Sequence, residues 1–475
     1  MESSRKIGLF LGPLLFFVIL NLPFVLLSEQ GDPVIAVAAW MVTWWVTEAV
    51  SISVTALLPL VLFHLLDVLH IDEVGASYGS RVVFLFFGGF VLALALEKVN
   101  LHKRIALNII KLTGTTPNKV ILGFMIATAA LSMWISNTAS TVVMLPIAMS
   151  VIALLIDDED GFTKNDQNFA LSVMLGIAFS ANAGGIATII GTPPNVVMVG
   201  FLEDSYNIEI TFAQWIVIGL PFSILMITIS YLVLIKLFPN RNLRFKASSD
   251  VIATELEKLG PTSRKEKMVL VIFAITVSLW IFRQLINDWF PNLDLKDAVI
   301  SVGAAIALFA LPYNLKKGAF ILEWKDTQKL SWGILLLFGG GLALAAGMKA
   351  SGIVDLIANA IAASNISILV TASLLIVLML FMTELMSNVA LITVLAPVIA
   401  GIALGLEVPL LHFLIPITMA SSCAFMLPMA TPPNAIVFAS GYIKVHQMAR
   451  VGFVLNIIAV GLLILLFQFV IPHLF

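Results

Sequence analysis

Cysteine is nearly absent: of 475 residues only Cys423 is one, which excludes an intrachain disulfide and a metal site built from cysteines. Its apolar neighbours suit a packing role. Charge is scarce as well, since Asp, Glu, Lys and Arg together make up 11% of a chain that is 60% hydrophobic. A soluble fold could not bury that much apolar surface, so the composition is that of a polytopic membrane protein. The net charge of −2 points to no partner, because the charges are sorted by loop. No cleavable leader is evident either: Leu9 to Leu27 is too long for a leader's apolar region and lacks a small-residue cleavage site, so it reads as the first membrane helix.

What is present is a series of long apolar runs. A span needs about 20 apolar residues, and that ruler gives eleven candidates, at 8–28, 33–50, 52–66, 82–97, 169–200, 213–238, 267–286, 297–312, 332–348, 411–441 and 449–473. Two further runs, 120–156 and 366–404, are each interrupted at the centre by a Ser-Asn pair. If the N-terminus is cytoplasmic and both interrupted runs return to the side they came from, that side receives most of the Lys and Arg. The outer side keeps only Arg81, Arg283, Lys296 and Lys349. Making either run a full crossing would destroy this bias, so charge alone favours two re-entrant hairpins.

The two halves of the chain repeat. Phe87-Gly88-Gly89 recurs at Phe338-Gly339-Gly340, Ser136-Asn137 at Ser387-Asn388, and Pro146 at Pro397; 339−88, 387−136 and 397−146 all equal 251. The tetrad Thr192-Pro193-Pro194-Asn195 recurs at Thr431-Pro432-Pro433-Asn434, and 431−192 is 239. The shortfall of 12 matches a polar insert, Asp157 to Asn168, found only in the first half. With one hairpin opening from the cytoplasm and the other from outside, the repeats are inverted, as in many secondary transporters. The expectation is an all-α polytopic membrane protein of about eleven transmembrane helices plus two re-entrant hairpins in two inverted repeats.

Hairpin tips and Thr-Pro-Pro-Asn breaks share one logic. Ser136 and Ser387 stand where the second half-helix of each hairpin begins and can cap its free N–H groups. In each tetrad Thr suits the N-cap, and Pro at the first helical position loses no hydrogen bond while forcing the preceding segment out of helix. Four half-helix N-termini converging near mid-membrane make an anion site. Ser, Asn and Pro also occur between membrane helices with no ligand, but four motifs in two-fold register outweigh that reading. No Lys, Arg or His falls in either hairpin core or either break, so an anion with several charges needs cations that travel with it. Unwound carbonyls with Ser, Thr and Asn oxygens form a cage for a hard monovalent cation, and Na+ coupling is the economical inference. Glu48 and Glu384 are intramembrane acids for which a transport role and a structural hydrogen bond to backbone fit equally well.

The two Ser-Asn tips, the two Thr-Pro-Pro-Asn breaks, Trp44-Trp45-Val46-Thr47-Glu48-Ala49 and Phe86-Phe87-Gly88-Gly89-Phe90 resemble the divalent anion/sodium symporter family. Its members include bacterial sodium-dependent dicarboxylate transporters, related to animal sodium-coupled di- and tricarboxylate carriers. The resemblance spans essentially the whole chain. It implies one sodium held by Ser132, Ser136, Asn137 and the carbonyl of Gly191, and a second by Thr383, the carbonyl of Met386, Asn388 and Ala430. It implies substrate contacts from Ser136, Asn137, Thr138, Ser387, Asn388, Thr431 and Pro432. The family's second tip reads Ser-Asn-Thr; here Val389 stands third, so one hydroxyl contact to a carboxylate is lost.

By the same resemblance the mechanism is an elevator. Residues 1–118 supply scaffold helices and an interfacial arm, 119–239 the first hairpin, broken helix and following helix, 240–348 a cytoplasmic arm and further scaffold helices, and 349–475 the second hairpin, broken helix and last helix. For Lys98–Lys119 and Asn240–Lys267 an interfacial helix and a solvated loop both fit the sequence. The implied setting is the bacterial inner (cytoplasmic) membrane, with a small dicarboxylate anion, sodium ions, the lipid bilayer and a second copy of the chain as partners, and no nucleic acid. Citrate or another tricarboxylate, sulfate, or dicarboxylate exchange are the alternatives within the family. An anion channel would show a continuous polar stripe, a proton-coupled antiporter a buried Asp or His pair at the breaks, and an enzyme a nucleophile with its base or a metal cluster; the tips offer none of these.

Overall fold

The computed structural model describes residues 2–21, 31–114, 116–156, 163–240, 248–364 and 366–474. These are helical almost throughout. The sole β structure among the described residues is an antiparallel pair, Pro312–Asn314 with Ala319–Phe320, Pro312 facing Phe320. Among the described residues seven helical stretches are long and apolar enough to cross a membrane alone: Ser4–Asn21, Ile71–Lys98 (a short helix, Ile71–Tyr78, running into Arg81–Lys98), Phe212–Leu237, Arg264–Trp289, Trp332–Ala350, Asn388–Gly405 and Val445–Leu474. Exposed Phe10, Leu374 and Phe469 belong to a broad apolar exterior suited to lipid. The chain is a multi-pass membrane protein.

The remaining runs read as spans are shorter or broken. Gly31–Thr47 and Asp297–Ala310 are compact helices, Ile52–Thr55 and Leu58–Leu65 share a third, and the runs 169–200 and 411–441 are each interrupted. Residues 22–28 of the first expected span, 157–162 of the polar insert and 241–247 of the second polar arm lie outside the described residues. Two short helices, Ile71–Tyr78 and Ile353–Ala362, were not expected, because segments of eight and ten residues fall below a twenty-residue ruler. In the Lys98–Lys119 stretch Leu101–Thr113 is a helix, fixed by Arg104, which pairs with Glu266 at 2.6 Å and donates to the Leu259 carbonyl at 3.2 Å.

The repeated Phe-Gly-Gly has a packing reason. A side chain at Gly88 would run into the backbone of Ser301, and one at Gly339 into Tyr78, so each glycine lets its helix approach a neighbour closely. The basic residues assigned to the outer side gather around one short segment, 203–209. Arg81 pairs with Glu203 (2.5 Å), and Arg283 and Lys296 pair with Glu209 (2.7 and 3.3 Å). Lys349 donates to the Ser205 carbonyl and lies 4.6 Å over the Tyr206 ring. Burial opposes ionisation of Glu209, yet Arg283 and Lys296 outweigh it and hold its carboxyl below the usual range. All four basic residues assigned from sequence to the outer side therefore gather at one end of the bundle.

Candidate functional site

Each interrupted run is a pair of helices joined by a short non-helical tip. The first pair is Pro117–Ser132 and Asn137–Ile156, the second Ile368–Met382 and Asn388–Gly405. At the first tip the Ser136 hydroxyl accepts from the Ala139 N–H at 3.1 Å; at the second, Ser387 accepts from Ala390 at 3.4 Å. The expected caps are thus present at both. The expected breaks are present too: Lys164–Gly185 gives way to Pro193–Tyr206, and Leu410–Ser421 to Pro432–Phe438. Thr431 caps its helix through the Asn434 N–H (3.4 Å), whereas Thr192 makes no side-chain cap and its carbonyl accepts from the Asn195 N–H instead (3.2 Å).

Packing crosses the two halves. The helix that starts at the first tip, Asn137–Ile156, packs on Pro432–Phe438 of the second break, and Asn388–Gly405 packs on Pro193–Tyr206 of the first. Ser136 and Pro432 are exposed, Asn137, Thr138, Ser387, Asn388 and Val389 are half-buried, and Thr431 is buried. Polar tips and breaks therefore meet inside an apolar bundle, with part of their polar surface open.

Two clusters of oxygens stand behind the tips. In the first, the Ser132 hydroxyl donates to the Ala181 carbonyl at 2.7 Å and touches the Asn137 amide at 2.7 Å. Turned so that its nitrogen faces inward, that amide donates to Ser132 Oγ (2.7 Å), Ala181 O (3.3 Å) and Gly191 O (3.2 Å). Turned the other way, its oxygen completes a group of four oxygens with one hydroxyl proton among them. The amide lies against Gly185, where any side chain would collide with it. In the second cluster the Thr383 hydroxyl faces both Asn388 Oδ1 (2.5 Å) and the Ser421 carbonyl (2.7 Å), one proton for two acceptors. Met386 immediately precedes the Ser387 cap, and Ala430 immediately precedes Thr431 at the head of the break.

Several residues of the site were invisible or unassigned from sequence. Ala181 and Ser421 contribute carbonyls, which no residue type announces. The asparagines of the tetrads hold the unwound chain: Asn195 donates to the Thr188 carbonyl (2.9 Å), and Asn434 to the carbonyls of Ala424 (3.2 Å) and Leu427 (3.0 Å). Each tip is tied to its own half's break, but by different chemistry. Thr188 donates to the Met133 carbonyl at 2.6 Å, while at the corresponding position, 133 + 251 = 384, the buried Glu384 carboxylate accepts from the N–H groups of Phe425 (2.8 Å), Met426 (2.9 Å) and Leu427 (3.0 Å) and from the Asn456 amide (2.7 Å). Of the two roles open to Glu384, the structure shows the backbone hydrogen bonds. Glu48 is exposed, and its own carbonyl accepts from Arg5 at 2.9 Å. Cys423 is buried in the second break.

Paired helices broken at capped polar tips, with oxygen clusters between them in an apolar bundle, define a membrane transport protein rather than an enzyme. A family model for the sodium:sulfate symporter transmembrane region matches residues 4–474, and the chain belongs to that family. It is 38% identical over 477 residues, 99% of this chain and 92% of the other, to the sodium-dependent dicarboxylate transporter SdcS of Staphylococcus saprophyticus, and 39% identical over 483 residues, with the same coverage, to SdcS of Staphylococcus aureus. Among solved structures, Neisseria gonorrhoeae MtrF, described as illuminating a class of antimetabolite efflux pumps, superposes with a TM-score of 0.52 at 11% identity over 84% of this chain and 83% of the other; that likeness is one of fold alone.

Proposed function

We propose that this protein carries out Na+-coupled symport of C4-dicarboxylates such as succinate, malate and fumarate by an elevator mechanism. The observation that carries the proposal is the pair of oxygen clusters, Ser132–Asn137–Ala181–Gly191 and Thr383–Asn388–Ser421, each one residue layer behind a capped tip. The relatives' printed names supply the sodium dependence and the dicarboxylate. Sodium bound at both clusters, completed by Met386 and Ala430 at the second, places positive charge beside helix N-termini whose dipoles already favour anions. Ser136, Asn137, Thr138, Ser387, Asn388, Thr431 and Pro432 then face the two carboxylates, the hydroxyls and amides donating.

The reading includes eleven crossings, two re-entrant hairpins and two inverted repeats, with the N-terminus in the cytoplasm of a bacterial inner membrane. The gathering of Arg81, Arg283, Lys296 and Lys349 at one end supports that sidedness. Residues 1–118 and 240–348 form the scaffold of a homodimer; 119–239 and 349–475 form the body that moves. Counterflow in proteoliposomes with succinate, malate, fumarate, citrate and sulfate, with and without Na+, tests the whole proposal. Exchange undiminished without Na+ overturns the coupling, and sulfate as the sole substrate overturns the substrate class.

Val389 sets one expectation of its own. It occupies the place where the repeat has Thr138, so Val389→Thr restores a donor worth about 0.5–1.5 kcal/mol when aligned. Succinate affinity is expected to rise by up to about tenfold, read from concentration-dependent uptake; succinate and citrate affinities that keep their ratio would remove position 389 from substrate selection.

Charge state gives another. Tips and breaks contain no Lys, Arg or His, so each negative charge beyond two lacks a partner in a partly dehydrated cavity. Succinate uptake should be flat or decline slightly as pH falls from about 7.5 to about 6, a range in which succinate begins to lose its dianionic form. Citrate, carried as its divalent form, should improve over the same range. Initial rates at a fixed Na+ gradient decide it, and a citrate rate that grows with pH would mark a tricarboxylate carrier.

A further inference from the structure

One side chain joins the helix of the first oxygen cluster to the second break. Asn182 lies on the last turns of Lys164–Gly185, is 1% exposed, and follows directly on Ala181, whose carbonyl belongs to the first cluster. Its amide nitrogen reaches across to the other half of the chain: Ala424 O at 3.0 Å, Thr431 Oγ1 at 3.1 Å and Asn434 Oδ1 at 3.3 Å. Its Oδ1 is buried and makes no hydrogen bond within the protein. Thr431 and Asn434 are the residues that start the helix after the second break, through the 3.4 Å cap, and Asn434 fixes the unwound carbonyls of Ala424 and Leu427.

The bridge has no counterpart in the other half. Ser421 is the counterpart of Ala181, since its carbonyl takes the Thr383 hydroxyl as Ala181 takes that of Ser132. The residue after it is Ser422, whose hydroxyl is too short to cross and is also unpartnered. So a shift of Ala181 when the first cluster fills would move the amide that positions Thr431 and the second break, and a shift of the second break would act back on the first cluster through the same amide.

We propose that Asn182 is a positioning residue that couples occupancy of the first cation cluster to the geometry of the second break. The inference rests on the symport reading above. Two hydrogens are shared among three acceptors, so a small displacement of the Ala181–Asn182 peptide changes which acceptor is served, and a buried hydrogen-bonded link of this kind is one route by which a two-state change passes between sites.

The test is uptake of succinate by proteoliposomes over a Na+ series, for wild type, Asn182→Ser and Asn182→Asp, with Na+-dependent thermal stabilisation of the purified proteins beside it. Wild type should show a Hill coefficient for Na+ above one. Both variants should fold, keep the KM for succinate at saturating Na+ within about twofold, lower the Hill coefficient toward one, and raise the half-saturating Na+ by about five- to tenfold, the equivalent of one lost hydrogen bond. Na+ should still stabilise them, through the surviving independent sites. Variants that lower the maximal rate with cooperativity intact, or that yield no folded protein, assign Asn182 to the fold and overturn the inference. Wild type without Na+-driven uptake overturns the symport reading itself, a separate outcome.

Discussion

Replacing Asn137 or Asn388 by alanine is expected to abolish sodium-driven succinate uptake while leaving folded protein in the membrane. Each side chain does two things at once. Asn137 meets the hydroxyl of Ser132 and the carbonyls of Ala181 and Gly191, and Asn388 accepts from Thr383; each is also the first residue of the helix that follows its tip, where the substrate is proposed to bind. Alanine removes an oxygen from the proposed cation cluster and a donor from the proposed anion site together. Bonds to charged groups are worth about 1.5–3 kcal/mol each, and two lost at once amount to about 100-fold or more in uptake. The fold should survive, because the Ser136 and Ser387 caps remain. Uptake by both variants near the wild-type rate, at matched amounts of protein, would remove the proposed site.

Glu384 carries the second large effect. Only donors face its carboxylate: three consecutive N–H groups of the second break and the amide of Asn456. Glu384→Ala strands all four in a buried setting, at about 1–3 kcal/mol for each donor left unpaired. The segment from Phe425 to Leu427 should lose its shape, transport should vanish, and the thermal midpoint of the purified protein should fall. Glu384→Gln is the sharper probe. It keeps one oxygen for Phe425, Met426 and Asn456 and turns its NH2 toward the single N–H of Leu427, so stability falls less than in Glu384→Ala while the geometry next to Thr383 still changes. Uptake should drop by about tenfold or more, as one misplaced buried hydrogen bond predicts. Wild-type stability and uptake in Glu384→Ala would mean that the carboxylate does not hold the break.

How far the sequence reaches is clearest at the tips. Ser136 and Ser387 were legible as caps, and Pro193 and Pro432 as helix starts, because capping and proline geometry act within four residues of the chain. The same locality explains the difference at Thr192. Its neighbourhood in sequence matches Thr431, but whether the hydroxyl turns inward to cap is settled by what surrounds it, and Thr192 leaves the first bond to its own carbonyl.

Composition by itself determined that the chain lives in a membrane, since apolar residues at 60% leave no other solvent for its surface. Spacing by itself gave the expectation of an internal duplication and paired the serines, threonines and asparagines of one half with those of the other. Tertiary structure alone decided the rest. It placed the carbonyls of Ala181 and Ser421 in the oxygen clusters, gave Glu384 the three N–H groups of the second break, and sent the Asn182 amide across to Thr431 and Asn434. The physical reason is that backbone groups become ligands only where a helix stops, and buried polar side chains take whichever partners the packed neighbour presents. Those partners lie 38 to 252 residues away along the chain (421−383 and 434−182), a separation at which residue type carries no information about contact.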